Sequence, residues 1–134
     1  MTSVSEFATM RIPTLPSEVA PDGSAARVLL GLAGGTMAHF ELPAGATSRA
    51  VTHRTIEEVW LVLSGSGELW RKQAAREEVV ELAPGVCVSL PRGTHFQFRA
   101  STHEALTFVA ATIPRWPGDE EAELVPGPWR SSIA

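Results

Sequence analysis

The stretch Gly45-Ala46-Thr47-Ser48-Arg49-Ala50-Val51-Thr52-His53-Arg54-Thr55-Ile56-Glu57-Glu58-Val59-Trp60-Leu61-Val62-Leu63-Ser64-Gly65 decides how the rest of the chain is read. It follows one turn signal, Pro43-Ala44-Gly45, and runs into another, Gly65-Ser66-Gly67. Within it, Glu58–Leu63 is full of β-branched, aromatic and bulky apolar residues, the composition of a strand packed on a core. Ala50–His53 supplies a shorter strand before it. Alternate residues of a strand share a face. Arg49, Val51 and His53 therefore point one way, and so do Glu58 and Trp60 on the strand that follows.

Outward from that stretch the same pattern repeats. Ala26–Leu32 and Thr36–Leu42 precede it, separated by Gly34-Gly35. Glu68–Arg71, Glu78–Leu82, Val86–Leu90, Phe96–Arg99 and Leu106–Thr112 follow, divided by Ala83-Pro84-Gly85 and Pro91-Arg92-Gly93. Lys72–Glu77 reads as a hairpin tip, ahead of a short helix over Gln73–Leu82. About nine strands with frequent turn signals predict an all-β sandwich or barrel. Residues 25–113 hold that barrel. Residues 1–24 read as an N-terminal arm with a short strand at Met10–Ile12. Residues 114–134 form a C-terminal arm whose Trp116 and Trp129 dock on the barrel or on a partner subunit.

Composition narrows the partners. The chain has 134 residues, enough for one domain, and a formal net charge of −4 with no run of Lys or Arg. That balance predicts neither a nucleic-acid nor a membrane-surface partner. The single cysteine, Cys87, cannot close an internal disulfide, and its apolar neighbours Val86 and Val88 predict a buried thiol. With no basic start, apolar leader or spanning run in view, a cytoplasmic protein is expected.

Two spacings now carry a resemblance. Gly45, His53, Glu58 and Gly65 fit G-x5-H-x-H-x3–4-E-x6-G with Val51 at the first His position. Gly85, Pro91 and Gly93 fit G-x5-P-x-G-x2-H-x3-N with Phe96 at the His position and Ala100 at the Asn position. The pair resembles the two motifs of the cupins, small antiparallel barrels also described as double-stranded β-helices or jelly rolls. The resemblance implies that fold. It also implies a metal site at Val51, His53, Glu58 and Phe96, two of which are apolar. No metal is therefore expected, and if one binds, His53 and Glu58 need His39 or His95 beside them.

Strand phase bears on that choice. Phe96 and Phe98 share one face, while His95, Gln97 and Arg99 share the other. The apolar face belongs inside, because an unpaired Arg in a lumen is costly. A one-residue slip would bring in His95, and Arg99 with it. In Thr36–Leu42, Ala38, Phe40 and Leu42 make the cleaner apolar face, which turns His39 away. His103, beside Glu104, reads as a surface residue.

What remains is an imidazole and a carboxylate in an apolar lumen. His53 and Glu58 are the candidate catalytic pair, since His titrates near neutrality and a carboxylate orients it. Arg49, Val51, Trp60, Phe96 and Phe98 are candidate ligand-binding residues. The leading expectation is a small-molecule-binding cupin, a metal-independent isomerase, cyclase or lyase. A non-catalytic ligand-binding module and a metal-dependent oxygenase or isomerase are the alternatives. Edge strands to be hidden predict a homodimer.

Overall fold

Glycine-bearing turns cut the chain into strands that fold back on one another. At Gly65, φ is 77° and an added Cβ would lie 1.9 Å from the Ala105 carbonyl oxygen, so only glycine lets the chain reverse there. The computed structural model describes residues 6–133. Among them the strands are β1 (Glu18–Val19), β2 (Ala25–Leu32), β3 (Gly35–Leu42), β4 (Val51–His53), β5 (Glu57–Ser64), β6 (Gly67–Gln73), β7 (Arg76–Leu82), β8 (Cys87–Leu90), β9 (His95–Ala100), β10 (Leu106–Ile113) and β11 (Ala122–Leu124). One 3₁₀ turn, Asp119–Glu121, precedes β11.

The strands form two antiparallel sheets, ordered β1-β2-β3-β10-β5-β8 and β11-β4-β9-β6-β7. This is the all-β architecture predicted from the turn spacing, and the jelly roll that the resemblance implied. The inward-facing residues of both sheets make one core that includes Leu42, Val62, Leu69, Leu82, Phe98 and Leu106.

Local expectations fare differently: the strand at Met10–Ile12 and the buried Cys87 change, while the hairpin stands. Met10–Ile12 forms no strand; the arm instead pairs through β1. Residues 73–82 form the hairpin β6–β7, with Ala74 at its tip (φ 51°). Cys87 is exposed, because it takes the outward position of β8 while Val88 and Leu90 take the inward ones. The C-terminal arm docks on its own barrel. β11 pairs with β4, and the main chain of Trp129 exchanges two hydrogen bonds with the side chain of Gln97. That cover explains why Gln97, on the outward phase, is buried.

Candidate functional site

The chamber arises from how inward side chains change along three paired strands. β3, β10 and β5 place Leu42 beside Leu106; then Phe40, Phe108 and Val62; then Ala38, Ala110 and Trp60; then Thr36, Thr112 and Glu58. The first layers are filled by bulk. The small Ala38 and Ala110 leave space, and the last layer is polar. A cavity of about 230 Å³ opens there, lined by Ala38, Phe40, Glu58, Trp60, Phe108 and Thr112 from this sheet and by His53 from the other. The rings of Phe40, Phe108 and Trp60 stack in sequence (5.3 and 4.0 Å between centroids) and form one wall.

The polar groups are tied together. His53 Nδ1 lies 2.8 Å from Glu58 Oε1, and both residues are buried. Trp60 Nε1–H donates to the other Glu58 oxygen at 3.2 Å. Donation by Nδ1–H fixes the tautomer of a neutral His53 and leaves Nε2 with a free lone pair. The imidazole sits edge-on to Phe96 at 5.3 Å and Trp116 at 5.5 Å. In the same layer as Glu58, Thr36 and Thr112 share a hydrogen bond between their hydroxyls.

The structure separates the residues expected at the site. His53, Glu58 and Trp60 line the chamber. Val51 and Phe96, paired across β4 and β9, are packed in the core, as is Phe98. The two phenylalanines support the wall from behind, meeting Trp60 edge-on at 5.7 and 5.1 Å. Arg49 is drawn away from the chamber, with Nη1 donating to the Pro21 carbonyl at 3.0 Å.

A divalent ion does not fit these residues. Two of the four implied positions are apolar, and Glu58 spends one oxygen on His53 and the other on Trp60. Among the described residues no group of three or more His, Cys, Asp or Glu is arranged to hold a metal. His95 takes the outward phase of β9, half-buried, in register with Lys72 and Thr52. His39 lies on the outer side of β3, across from Arg27 and Val109. Burial, and then the Arg27 charge, hold its imidazole below the usual range.

Both motif spacings thus sit on paired strands facing one lumen, and a family comparison agrees. The cupin-domain family model matches residues 38–112, more than half of the chain. This chain belongs to the cupins. No curated protein matches its sequence. Solved structures do resemble it. CapF, the capsular polysaccharide assembling protein of Staphylococcus aureus, superposes with a TM-score of 0.67 at 15% identity. That match covers 78% of this chain and 32% of CapF, so this cupin spans about a third of that protein. An uncharacterized conserved protein from Klebsiella pneumoniae with a double-stranded β-helix domain has a TM-score of 0.64 at 19% identity, covering 78% and 85% of the two chains. Streptomyces PAC13, solved in a substituted form with uridine, has a TM-score of 0.67 at 12% identity, covering 89% and 92%. At such identities the likeness is one of fold.

Several groups in this cupin's chamber escape a reading of the barrel strands alone, because the arms deliver them, Glu18 among them. Arg115, Trp116 and Asp119 come from the C-terminal arm and Asp22 from the N-terminal arm. The tryptophans were the signal for the first arm. Asp22, in a proline-rich segment without periodicity, gave none. Burial pushes the Asp22 carboxyl above its ordinary range; hydrogen bonds from Ser24 oppose that, and the Glu58 charge adds to it. Glu121 anchors the C-terminal arm. Its carboxylate accepts the Thr55 and Ile56 amides at 2.6 and 3.2 Å and the Thr55 hydroxyl. Burial pushes Glu121 up, but these bonds together outweigh it and hold the group below the usual carboxylate range.

Proposed function

We propose that this cupin binds a compact, largely apolar small molecule and moves a proton on it without a metal, as an isomerase, cyclase or lyase. The observation that carries this reading is the buried His53–Glu58 bond at the edge of an aromatic-walled chamber. It presents a base of fixed tautomer in a largely apolar site. A volume of about 230 Å³ corresponds to roughly eight waters of liquid, so a ring-sized ligand suits it better than a drug-sized one. CapF has been solved with the inhibitor 3-isopropenyl-tropolone and PAC13 with uridine, each a ring-bearing ligand of a protein that contains this fold. Substitution tests the reading directly. Glu58→Gln keeps the shape of the pair and is expected to fold normally and bind ligand, with turnover reduced about 100-fold or more. Full turnover by Glu58→Gln would remove the pair from the chemistry.

A ligand-binding module without turnover is the second reading. It is favoured by the complete pairing of Glu58, whose two oxygens are both engaged. Ligand binding that survives His53→Ala, with no product from wild type, identifies that case.

A homodimer in the cytoplasm completes the proposal. Val59, Leu61 and Met37 are each about two-fifths exposed on the outer side of the six-stranded sheet, in register with Ala111 and Val109. A second copy covers such an uncharged strip by self-complementarity. Sedimentation of a monomer, unchanged by Leu61→Glu, would count against it. Among the described residues no helix is long and apolar enough to cross a membrane.

A further inference from the structure

The N-terminal arm carries a carboxyl group into the chamber that the His53–Glu58 reaction leaves unused. Asp22 is buried and lines the same cavity as His53 and Glu58. Its position is built rather than incidental. The Ala20 amide donates to the Ser24 carbonyl and the Gly23 amide to the Ala20 carbonyl, both at 2.8 Å, closing a turn around it. The Arg49 amide donates to the Asp22 carbonyl at 2.8 Å, and the Arg49 guanidinium holds the preceding Pro21 carbonyl. Gly23 adopts φ 99° against Ile133 of the C-terminal arm, whose side chain leaves no room for a Cβ. Both arms and β4's approach segment thus clamp one carboxyl group.

The two oxygens of that group differ. Oδ1 accepts the Ser24 amide at 2.9 Å and the Ser24 hydroxyl at 2.6 Å. Oδ2 has no partner among the described residues. Two unprotonated carboxylates, Asp22 and Glu58, would place like charges in one largely apolar chamber, which a proton on Asp22 relieves. The groups that face it are Glu58 on β5 and His53 on β4, with Ser24 in its own turn and Glu18, Arg115 and Asp119 around the chamber.

We propose that Asp22 is the acid of the chamber: its free oxygen delivers a proton to the carbonyl oxygen of a ring-sized ketone while His53 takes one from the neighbouring carbon. This rests on the acid–base reading above and names its substrate class. In the forward half, the C–H electron pair becomes a C=C bond, the carbonyl π pair takes the Asp22 proton, and His53 becomes imidazolium. In the second half, Asp22 recovers its proton from the enol oxygen and His53 returns one to a different carbon. The net change is a shifted double bond, with no oxidant and no added reactant.

The test uses the whole chain and 3-cyclohexen-1-one as probe, following its conversion to 2-cyclohexen-1-one by ultraviolet absorbance. Wild type is expected to catalyse it, with the rate falling as Asp22 deprotonates at higher pH. Asp22→Asn keeps the acceptor for Ser24 but has no proton to give. It is expected to lose about 100-fold or more in kcat with KM within about twofold, and to lack that descending limb, which a merely structural role would leave in place. An Asp22→Asn variant as fast as wild type overturns the role of Asp22 and leaves His53–Glu58 standing. Wild type that binds the enone without converting it, or fails to bind it, overturns the ketone assignment together with this role. Independently of any ligand, carbon-13 NMR of the carboxyl groups is expected to show Asp22 titrating above ordinary aspartates. Titration at or below the ordinary range overturns the proposal even if turnover survives.

Discussion

One end of this barrel is solid and the other is hollow, although the same strands build both. Along β3 the inward side chains run Leu42, Phe40, Ala38, Thr36; along β10 they run Leu106, Phe108, Ala110, Thr112. β5 contributes Val62, Trp60 and Glu58 to the same layers. Alternation decides which side chains point inward. It does not decide whether they meet. At the solid end, Leu42, Leu106 and Phe98 are wholly buried against one another's layers. At the hollow end, two alanines and two threonines supply less bulk, and the arms join the strands in enclosing the space. The difference teaches that the fold and the site obey separate rules: periodicity for one, summed side-chain volume for the other.

Substitution at the solid end should therefore produce the largest effect. Phe98 is fully buried and touches both Trp60 and Phe108 edge-on. Phe98→Ala is expected to cost about 3–5 kcal/mol through lost burial and the cavity it leaves. Met37→Ala, at a half-exposed position on the outer side of β3, is expected to cost less than about 1 kcal/mol. Urea midpoints at constant slope measure both. Equal costs would mean that the packed layers around Phe98 contribute no more than an outer-face contact.

The same distinction explains what could be read from the sequence. Turn residues and two-residue alternation are local signals, so the strands of the barrel and the inward phase of Phe96 and Phe98 were legible. So were the apolar residues at two of the four implied metal positions, because Val51 and Phe96 stand at fixed motif spacings. The hollow was not legible. It depends on which layer each alanine joins, and therefore on register between β3, β10 and β5, which are distant in sequence. Arg49 shows the point from the other side. Its phase along the strand aims it at the lumen, but the turn at Pro21–Asp22 offers its guanidinium a carbonyl, and a close partner wins over phase. Asp22 itself reaches the chamber only through that turn. Nothing local to its sequence distinguishes it from an exposed loop aspartate.

An intermediate effect belongs to the arm that closes the hollow end. Glu121 is buried and its three hydrogen bonds fasten the segment bearing Trp116 and Asp119. Glu121→Gln keeps the size of the side chain but removes the charge that two amides and a hydroxyl address, and is expected to cost about 1–3 kcal/mol. The sign of the pH dependence follows from the depressed folded-state value. The contribution is complete above the ordinary glutamate range and is lost as pH falls through the lower folded value. Wild type should thus lose part of its advantage over Glu121→Gln on acidification. Hydrogen exchange should show β11 opening first, with the Leu42–Leu106 end still protected.

A smaller effect comes from filling the hollow. Ala38 faces Trp60 across the layer where the chamber begins. Ala38→Leu inserts a larger side chain where space already exists. Stability is expected to stay within about 1 kcal/mol of wild type, in contrast to the 1–3 kcal/mol usual for overpacking a filled core. Ring-sized ligands should lose their site at the same time. Large destabilisation would mean that the chamber is not the space it is taken to be.

The smallest effect should come from the other charged contact that holds the C-terminal arm. Arg54 Nη2 lies 2.9 Å from Glu123 Oε1, but both side chains are about half exposed. Solvent screens such a pair, and ordering two long side chains offsets much of the attraction. Glu123→Gln is expected to shift stability by less than about 0.5 kcal/mol and to leave the opening of β11 unchanged. Glu121 and Glu123 lie two residues apart on the same arm and carry the same charge. If Glu123→Gln loosens the arm as much as Glu121→Gln does, net charge attaches it. If only Glu121→Gln does, the attachment is the buried hydrogen-bonded carboxylate, and the cover of the hollow end is held by a geometry that salt cannot screen.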